Sequence, residues 1–160
     1  MRYYIIAGEP SGDLHASNLI KSIIKRDDAA QIRAMAGDLS REAGAELYRH
    51  YKDTAVMGIV EVVKKAGKIL NNLSDCKRDI LQFNPDVIIL VDYPGFNLKI
   101  AKFAKSRGIK VFYYIAPKVW AWKEHRVKEL RKYVDRLYII FPFEKDYFTQ
   151  RGVEAIYLGN

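Results

Sequence analysis

The chain has 160 residues, 49% of them hydrophobic and 29% charged, which predicts one globular domain with its own core rather than a disordered segment. A single cysteine excludes an internal disulfide, three scattered histidines make a metal site implausible, and no apolar run approaches the roughly 20 residues that cross a bilayer. The net charge of +8 favours an anionic partner such as nucleic acid, a phosphorylated substrate or a membrane surface, although solubility alone explains it equally well.

The first half of the chain alternates strand-like runs with helical spacing. In chain order the predicted elements are a strand over 2–7, a helix over 13–26, a strand over 31–37, a short helix over 39–46, a loop over 53–58 and a long helix over 59–83. We expect a break in the long helix near Gly67, because glycine is a poor helix former.

The second half repeats this alternation and begins with a near-continuous apolar run over 86–92, which is typical of a parallel strand covered on both faces. The elements after it are a helix over 97–107, a strand over 110–116, a helix over 124–134, a strand over 136–141, a helix over 144–151 and a strand over 155–159. Strands that alternate with helices predict an α/β fold with a parallel sheet wound on both sides. We expect a single domain over residues 1–160.

The loop over residues 8–13, GEPSGD, has the glycines of a nucleotide-binding turn but lacks the lysine of a phosphate-binding loop. It is a candidate site, because ligands of such sheets bind at the carboxyl ends of strands. The carboxylate of Glu9 and the hydroxyl of Ser11 are suited to sugar hydroxyls and amides, although Ser11 could instead cap the following helix. We interpret Asp13 as structural.

Asp92 follows the most apolar strand, where a carboxylate is costly unless it is hydrogen-bonded or functional. A general base that removes a proton from an acceptor hydroxyl requires this placement. The alternative is that Asp92 caps a turn through Tyr93, Pro94 and Gly95. Asn97 is predicted to be the N-cap of the next helix and, in second place, a substrate contact.

The loop over 116–122 carries Trp120 and Trp122, which could form an apolar or carbohydrate-facing wall or pack in the core. Lys123 and Arg126 follow it at helical spacing, so they could bind a phosphate together or form a solvated face.

The helical region over 59–70 combines apolar and basic side chains. An amphipathic basic helix can lie on an anionic membrane surface, whereas a core helix with a solvated basic face has the same pattern. The residues predicted to contact the membrane are Val60, Val63, Lys64, Lys65 and Lys68.

Five ordered segments together resemble one known family. They are AGEPSGDLHAS, VMGIVEVV, PDVIILVDYPGFNLKIA, GIKVFYYIAPKVWAWKEHRVKEL and DRLYIIFPFEKDYF. They are similar to the N-terminal half of the bacterial lipid-A-disaccharide synthases, from about Arg2 to Asn160. The resemblance implies a Rossmann-like N-terminal domain of a GT-B glycosyltransferase.

The resemblance also implies a reaction. The family joins UDP-2,3-diacylglucosamine to 2,3-diacylglucosamine 1-phosphate with inversion, releases UDP, and needs neither metal nor cofactor. Asp92 matches the family's proposed general base, and Glu9 and Ser11 match site residues of its acidic loop. Gly95 replaces an aspartate found in many members, so we expect no essential chemistry at that position.

The same resemblance predicts location and partners. We expect a cytoplasmic protein that associates peripherally with the anionic surface of the inner membrane. The donor would be held mainly by a C-terminal domain that this chain lacks, so we expect the chain alone to be inactive.

Two other functions remain open from the residues alone. One is a different GT-B enzyme with a lipid acceptor, such as a relative of the peptidoglycan glycosyltransferase. The other is a non-catalytic basic α/β module that binds nucleic acid with an affinity that falls steeply as salt rises. The resemblance favours the glycosyltransferase and no nucleic-acid partner.

Overall fold

The computed structural model describes residues 1–54, 62–118 and 125–159, and leaves out the side chains of residues 62–66 and 68. The chain divides into two compact units, Met1–Pro85 and Asp86–Asn160. The single domain predicted over residues 1–160 stays a prediction.

The first unit combines three strands with helices. In chain order its described elements are β1 (Arg2–Ala7), α1 (Pro10–Arg26), β2 (Gln31–Ala36), α2 (Asp38–Glu42), β3 (Glu46–His50), α3 (Tyr51–Thr54) and α4 (Val62–Phe83). The strands are parallel and lie in the order β3-β2-β1. Ile5 of β1 pairs with Ala34 of β2, and both side chains are fully buried, so the middle of these two strands belongs to the core.

The second unit has the same kind of architecture. Its described elements are β4 (Val87–Val91), α5 (Pro94–Ser106), β5 (Lys110–Tyr114), α6 (His125–Tyr133), β6 (Arg136–Ile139), α7 (Pro142–Thr149) and β7 (Ala155–Tyr157). The four strands are parallel, in the order β4-β5-β6-β7. Every residue of β4 is buried, as the apolar run predicts for a strand covered on both faces.

A buried polar network fixes α4 against the strands of the first unit. The Tyr4 hydroxyl donates a hydrogen bond to Asp79 Oδ2 at 2.7 Å, and Arg33 Nε donates to the same oxygen at 2.8 Å. Burial raises the pKa of Tyr4, and the neighbouring Asp79 carboxylate acts in the same direction, so the Tyr4 hydroxyl remains a donor. The Asp79 carboxylate is therefore compensated by a guanidinium and a phenol, which is how a buried charge is tolerated.

The predicted α/β fold with parallel strands is confirmed, and most element positions agree to within a few residues. The prediction for residues 39–46 is wrong in part, because α2 ends at Glu42 and the polar segment Glu46–His50 forms β3. The break expected near Gly67 is also wrong, since α4 runs through that residue without interruption. The loop predicted over 53–58 is helical at its first two residues, and the remainder lies outside the described residues.

Two helices begin earlier than their apolar spacing predicts. α1 begins at Pro10 and α5 at Pro94, in each case with proline in the first turn. Proline is favoured there because its fixed φ suits a helix and the missing N–H would have no partner within the helix.

Candidate active-site loops

The β4 turn, residues 91–93, places the carboxylate of Asp92 directly after the buried strand. Asp92 and Tyr93 both have left-handed backbone conformations, with φ of 44° and 45°. Aspartate adopts this conformation more readily than a bulky residue does, so Tyr93 bears most of the strain. Asp92 itself is half-buried. The strand therefore ends in a tight turn that presents a carboxylate at its carboxyl end.

Two side chains hold the backbone of the β4 turn. Asn97 Nδ2 donates hydrogen bonds to the carbonyl oxygens of Asp92 at 2.8 Å and Val91 at 3.2 Å. The Tyr113 hydroxyl donates to the same Asp92 carbonyl at 2.5 Å. The strained conformation is thus fixed from α5 and from β5, as expected where a site requires a preorganised group.

The prediction that Asn97 caps α5 is wrong. Tyr93 occupies the cap position without a side-chain capping bond, and Asn97 lies inside the helix with no exposed surface. This burial does not support the predicted substrate contact. Asn97 instead stabilises the backbone of the β4 turn through its Nδ2. The Oδ1 of Asn97 has no hydrogen-bond partner among the described residues.

Tyr113 contacts the candidate site, and the sequence analysis did not identify it. Burial raises the pKa of this tyrosine well above its ordinary value, and the negative charge of Asp92 acts in the same direction, whereas the positive charge of Arg126 opposes the shift. Tyr113 therefore stays protonated and acts as a donor. The available signal is that a buried tyrosine needs a partner for its hydroxyl, but the sequence does not identify which one.

Arg126 is half-buried in the first turn of α6. Its guanidinium acts electrostatically on Tyr113, which bonds to the Asp92 carbonyl. The structure therefore brings Arg126, Tyr113, Asn97 and Asp92 into one neighbourhood of the second unit. Substrate contact by Arg126 stays a prediction.

In the first unit, Glu9 and Ser11 are both exposed at the beginning of α1. Glu9, not Ser11, occupies the cap position, and it makes no side-chain capping bond. The alternative that Ser11 caps the helix is therefore wrong. The carboxylate and hydroxyl are accessible to a ligand, and their role in substrate binding stays a prediction.

The interpretation of Asp13 as structural is confirmed. This carboxylate is 3% exposed and accepts hydrogen bonds from the backbone N–H groups of Gly37 at 2.8 Å, Leu39 at 3.1 Å and Ser40 at 3.2 Å. The Ser40 hydroxyl donates a fourth bond at 2.6 Å. Asp13 thus supplies the acceptor that the first turn of α2 needs.

The remaining predicted site residues lie outside the described residues or on described backbone without described side chains. Trp120, Trp122, Lys123 and Val60 lie outside the described residues, whereas Val63, Lys64, Lys65 and Lys68 lie on the described backbone of α4 without described side chains. Nearby on α4, Ile69 is 38% and Leu70 60% exposed.

The described residues also bear on metal binding and membrane insertion. Within residues 1–54, 62–118 and 125–159, no group of three or more histidine, cysteine, aspartate or glutamate side chains is arranged to hold a metal ion. No helix in the same ranges has both the length and the apolar character of a membrane span.

Solved structures of other proteins share this architecture. A UDP-GlcNAc 2-epimerase from Methanocaldococcus jannaschii, in complex with UDP-GlcNAc and UDP, matches with a TM-score of 0.72 at 17% identity, over 100% of this chain and 47% of the other. MurG from Acinetobacter baumannii matches with a TM-score of 0.64 at 14% identity, over 100% and 45% of the two chains. Likeness at such low identity shows the fold alone, which is the Rossmann-like fold of the N-terminal half of GT-B glycosyltransferases and epimerases.

Sequence comparison narrows this class to one family. A family model described as lipid-A-disaccharide synthetase matches residues 3–160. The lipid-A-disaccharide synthase of Geobacter metallireducens is 43% identical over 159 residues, which cover 99% of this chain and 41% of the relative. That of Coxiella burnetii is 38% identical over 156 residues, or 98% and 42%. The chain belongs to the lipid-A-disaccharide synthetase family and spans about two fifths of the length of these relatives.

Proposed function

We propose that this chain is the acceptor-side half of an inverting glycosyltransferase of lipid A synthesis. The donor is UDP-2,3-diacylglucosamine, the acceptor is 2,3-diacylglucosamine 1-phosphate, and the products are lipid A disaccharide 1-phosphate and UDP. The β4 turn carries this proposal, because a half-buried carboxylate follows a fully buried strand on a backbone that two side chains hold. The family and the GT-B fold support the same class of reaction.

The proposed reaction is a direct displacement at the donor sugar. Asp92 accepts the proton of the acceptor 6-hydroxyl while that oxygen forms a bond to the anomeric carbon of the donor. The bond between this carbon and the UDP oxygen breaks on the opposite face, and UDP leaves with the bonding electron pair. The charge that develops on UDP requires positively charged groups or N–H donors, which we assign mainly to the part of the enzyme beyond this chain.

The loop after β1 is proposed to bind a sugar of the substrates. Glu9 and Ser11 would accept hydrogen bonds from the hydroxyl and acyl-amide groups of a sugar, which suits their exposure at the beginning of α1. A pyrophosphate would be repelled by Glu9, whereas a sugar is neutral at these groups. Lys123 and Arg126 are proposed to bind the 1-phosphate of the acceptor.

Replacement of Asp92 by asparagine tests the chemistry. We expect this variant of a full-length protein that carries the sequence to lose about 10²–10⁴-fold in kcat, which is the usual contribution of a general base. UDP release and disaccharide formation would be followed with purified donor and acceptor. The matched control is Asp86→Asn, which makes the same change directly before β4, at the opposite end of the strand.

Three results would count against the proposal. Near-normal turnover of Asp92→Asn would exclude Asp92 as the general base. An equal loss of kcat in Asp86→Asn would point to a structural effect of either substitution. Transfer to a different lipid acceptor, with none to the diacylglucosamine phosphate, favours the alternative GT-B enzyme. We expect the 160-residue chain alone to form no disaccharide, because it spans only 41% of the Geobacter relative.

Association with an anionic membrane surface is the second part of the proposal. The acceptor and the donor both carry acyl chains, so the enzyme must reach lipids that reside in a bilayer. The exposed side chains of Ile69 and Leu70 on α4 support a docking surface on this helix, and they are close in sequence to the predicted basic contacts Lys64, Lys65 and Lys68.

A further inference from the structure

A basic groove lies beside α6 in the second unit, and the proposed reaction assigns no role to it. The described residues that line its volume of about 440 Å³ are His125, Val127, Lys128, Arg131 and Arg151. Three of them are permanent cations, and none is acidic. A cleft lined by charges of one sign concentrates the electric field more strongly than a convex surface with the same charges.

The guanidinium of Arg151 is held in a fixed position in this basic groove. Its central carbon lies 3.8 Å from the centre of the Tyr147 ring, and its Nη1 donates a hydrogen bond to the Tyr147 carbonyl at 3.2 Å. Stacking and hydrogen bonding together restrict a side chain that otherwise has many rotamers. The binding of an anion there therefore costs less conformational entropy, because this arginine is already ordered.

The other two cations of the basic groove, Lys128 and Arg131, have no acidic partner in the part of the chain that the structure describes. Among the described residues, neither Lys128 nor Arg131 has a carboxylate within 4.0 Å. Both are exposed, while Val127 beneath them is 5% exposed and belongs to the core. The guanidinium of Arg131 passes beside Gly152, where a Cβ atom would lie 3.6 Å from Nη1. Mutual repulsion of these cations decreases when an anion binds between them.

The basic groove lies on a different face of α6 from Arg126. Residues 128 and 131 are displaced by roughly 140–160° around the helix axis from residue 126, because each residue of an α-helix turns about 100°. Arg126 acts on Tyr113, so its face is turned towards β5 and the β4 turn. The cations of the groove therefore form a second positive region.

We propose that the basic groove binds a phosphate-bearing ligand, either the headgroup of an anionic lipid or a soluble phosphate compound. Arg131 can offer two parallel N–H donors to phosphate oxygens, Lys128 adds a compact charge, and Arg151 adds the positive charge of its positioned guanidinium. The volume is within the range of pockets that hold small ligands, so a phosphate with an attached group can enter. This inference does not depend on the role of Asp92.

The test compares two double variants of the 160-residue chain that have the same net charge. Lys128→Gln with Arg131→Gln removes two exposed cations of the groove, and Lys99→Gln with Lys102→Gln removes two exposed cations of α5. Inorganic phosphate is titrated into each protein and followed by ³¹P NMR and calorimetry, after circular dichroism has verified the fold. We expect the groove variant to bind phosphate at least about tenfold more weakly and the α5 variant to bind like the parent.

Vesicles distinguish the two sources of the phosphate. Phosphatidylcholine vesicles with and without phosphatidic acid are floated with each protein. Recruitment by phosphatidic acid that the groove variant loses and the α5 variant keeps assigns a lipid headgroup, whereas groove-dependent binding of free phosphate without such recruitment assigns a soluble ligand.

Other outcomes overturn the inference. They are equal phosphate binding by the parent and the groove variant, an equal loss in both double variants, and no phosphate binding by the parent. A short DNA duplex that binds more tightly than phosphate and responds equally to both double variants would instead assign the positive charge to nucleic acid.

Discussion

Replacement of Asp13 by alanine is expected to remove a large share of the folding stability. The substitution leaves the buried N–H groups of Gly37 and Ser40 without an acceptor, and the Ser40 hydroxyl keeps only its 3.5 Å contact with the backbone carbonyl of residue 13. The N–H of the more exposed Leu39 can turn to water. Each stranded group costs about 1–3 kcal/mol, and partial relaxation recovers some of this. We therefore expect the free energy of unfolding to fall by about 3–5 kcal/mol.

Urea denaturation of the 160-residue chain, followed by circular dichroism, measures this loss. With a denaturant dependence of about 2 kcal/mol per molar urea, the midpoint should fall by about 2 M. A loss of this size is a large part of the about 5–15 kcal/mol that stabilises a typical domain. The variant should therefore unfold at a clearly lower temperature than the parent.

Glu9→Ala is the matched control, because it removes an acid from the same loop. Glu9 is exposed and makes no capping bond, so its loss should change stability by less than about 0.5 kcal/mol. A change below about 1 kcal/mol for Asp13→Ala would refute the reasoning from stranded donors. Equal losses in the two variants would show that the loop responds to charge and not to these particular bonds.

Two further predictions concern the second unit and α4. Tyr113→Phe removes one donor to the Asp92 carbonyl and leaves Asn97, so we expect a loss of about 1 kcal/mol in stability. In a full-length protein that carries the sequence, the same change should lower kcat with little change in KM, and an unchanged kcat would contradict a positioning role for Tyr113. Leu70→Glu should reduce flotation of the chain with anionic vesicles, whereas Leu81→Glu, also at an exposed leucine of α4, should not; equal binding of both variants would place the membrane surface elsewhere.

Much of the fold can be predicted from the apolar patterns of the sequence. The apolar runs of β1 and β4 predict buried parallel strands, and both lie in the core as expected. The strand β3 is not predicted by such a pattern, because Glu46, Arg49 and His50 interrupt any apolar alternation. It forms nevertheless, because β2 offers backbone partners and helices cover part of its surface, and these are tertiary effects.

The candidate site is only partly predictable for a similar reason. The position of Asp92 after an apolar strand marks it as unusual, and the structure gives it a specific backbone conformation. Which side chains hold that conformation depends on the register of β4 with β5, where Val91 pairs with Tyr114. This register, and therefore the contact between Tyr113 and Asp92, is a property of the folded chain.

The polarity of β3 has another consequence, which concerns the behaviour of the protein at high concentration. Within the described residues β3 is hydrogen-bonded to β2 alone, so its other side exposes backbone groups on which a strand of a second copy could align. Any such copy would have to strip water from Glu46 and from Arg49, which is already paired with Asp75. Charged side chains on an exposed edge strand oppose its pairing with a strand of another molecule. The charged residues that make β3 hard to predict from the sequence therefore also protect the protein against aggregation.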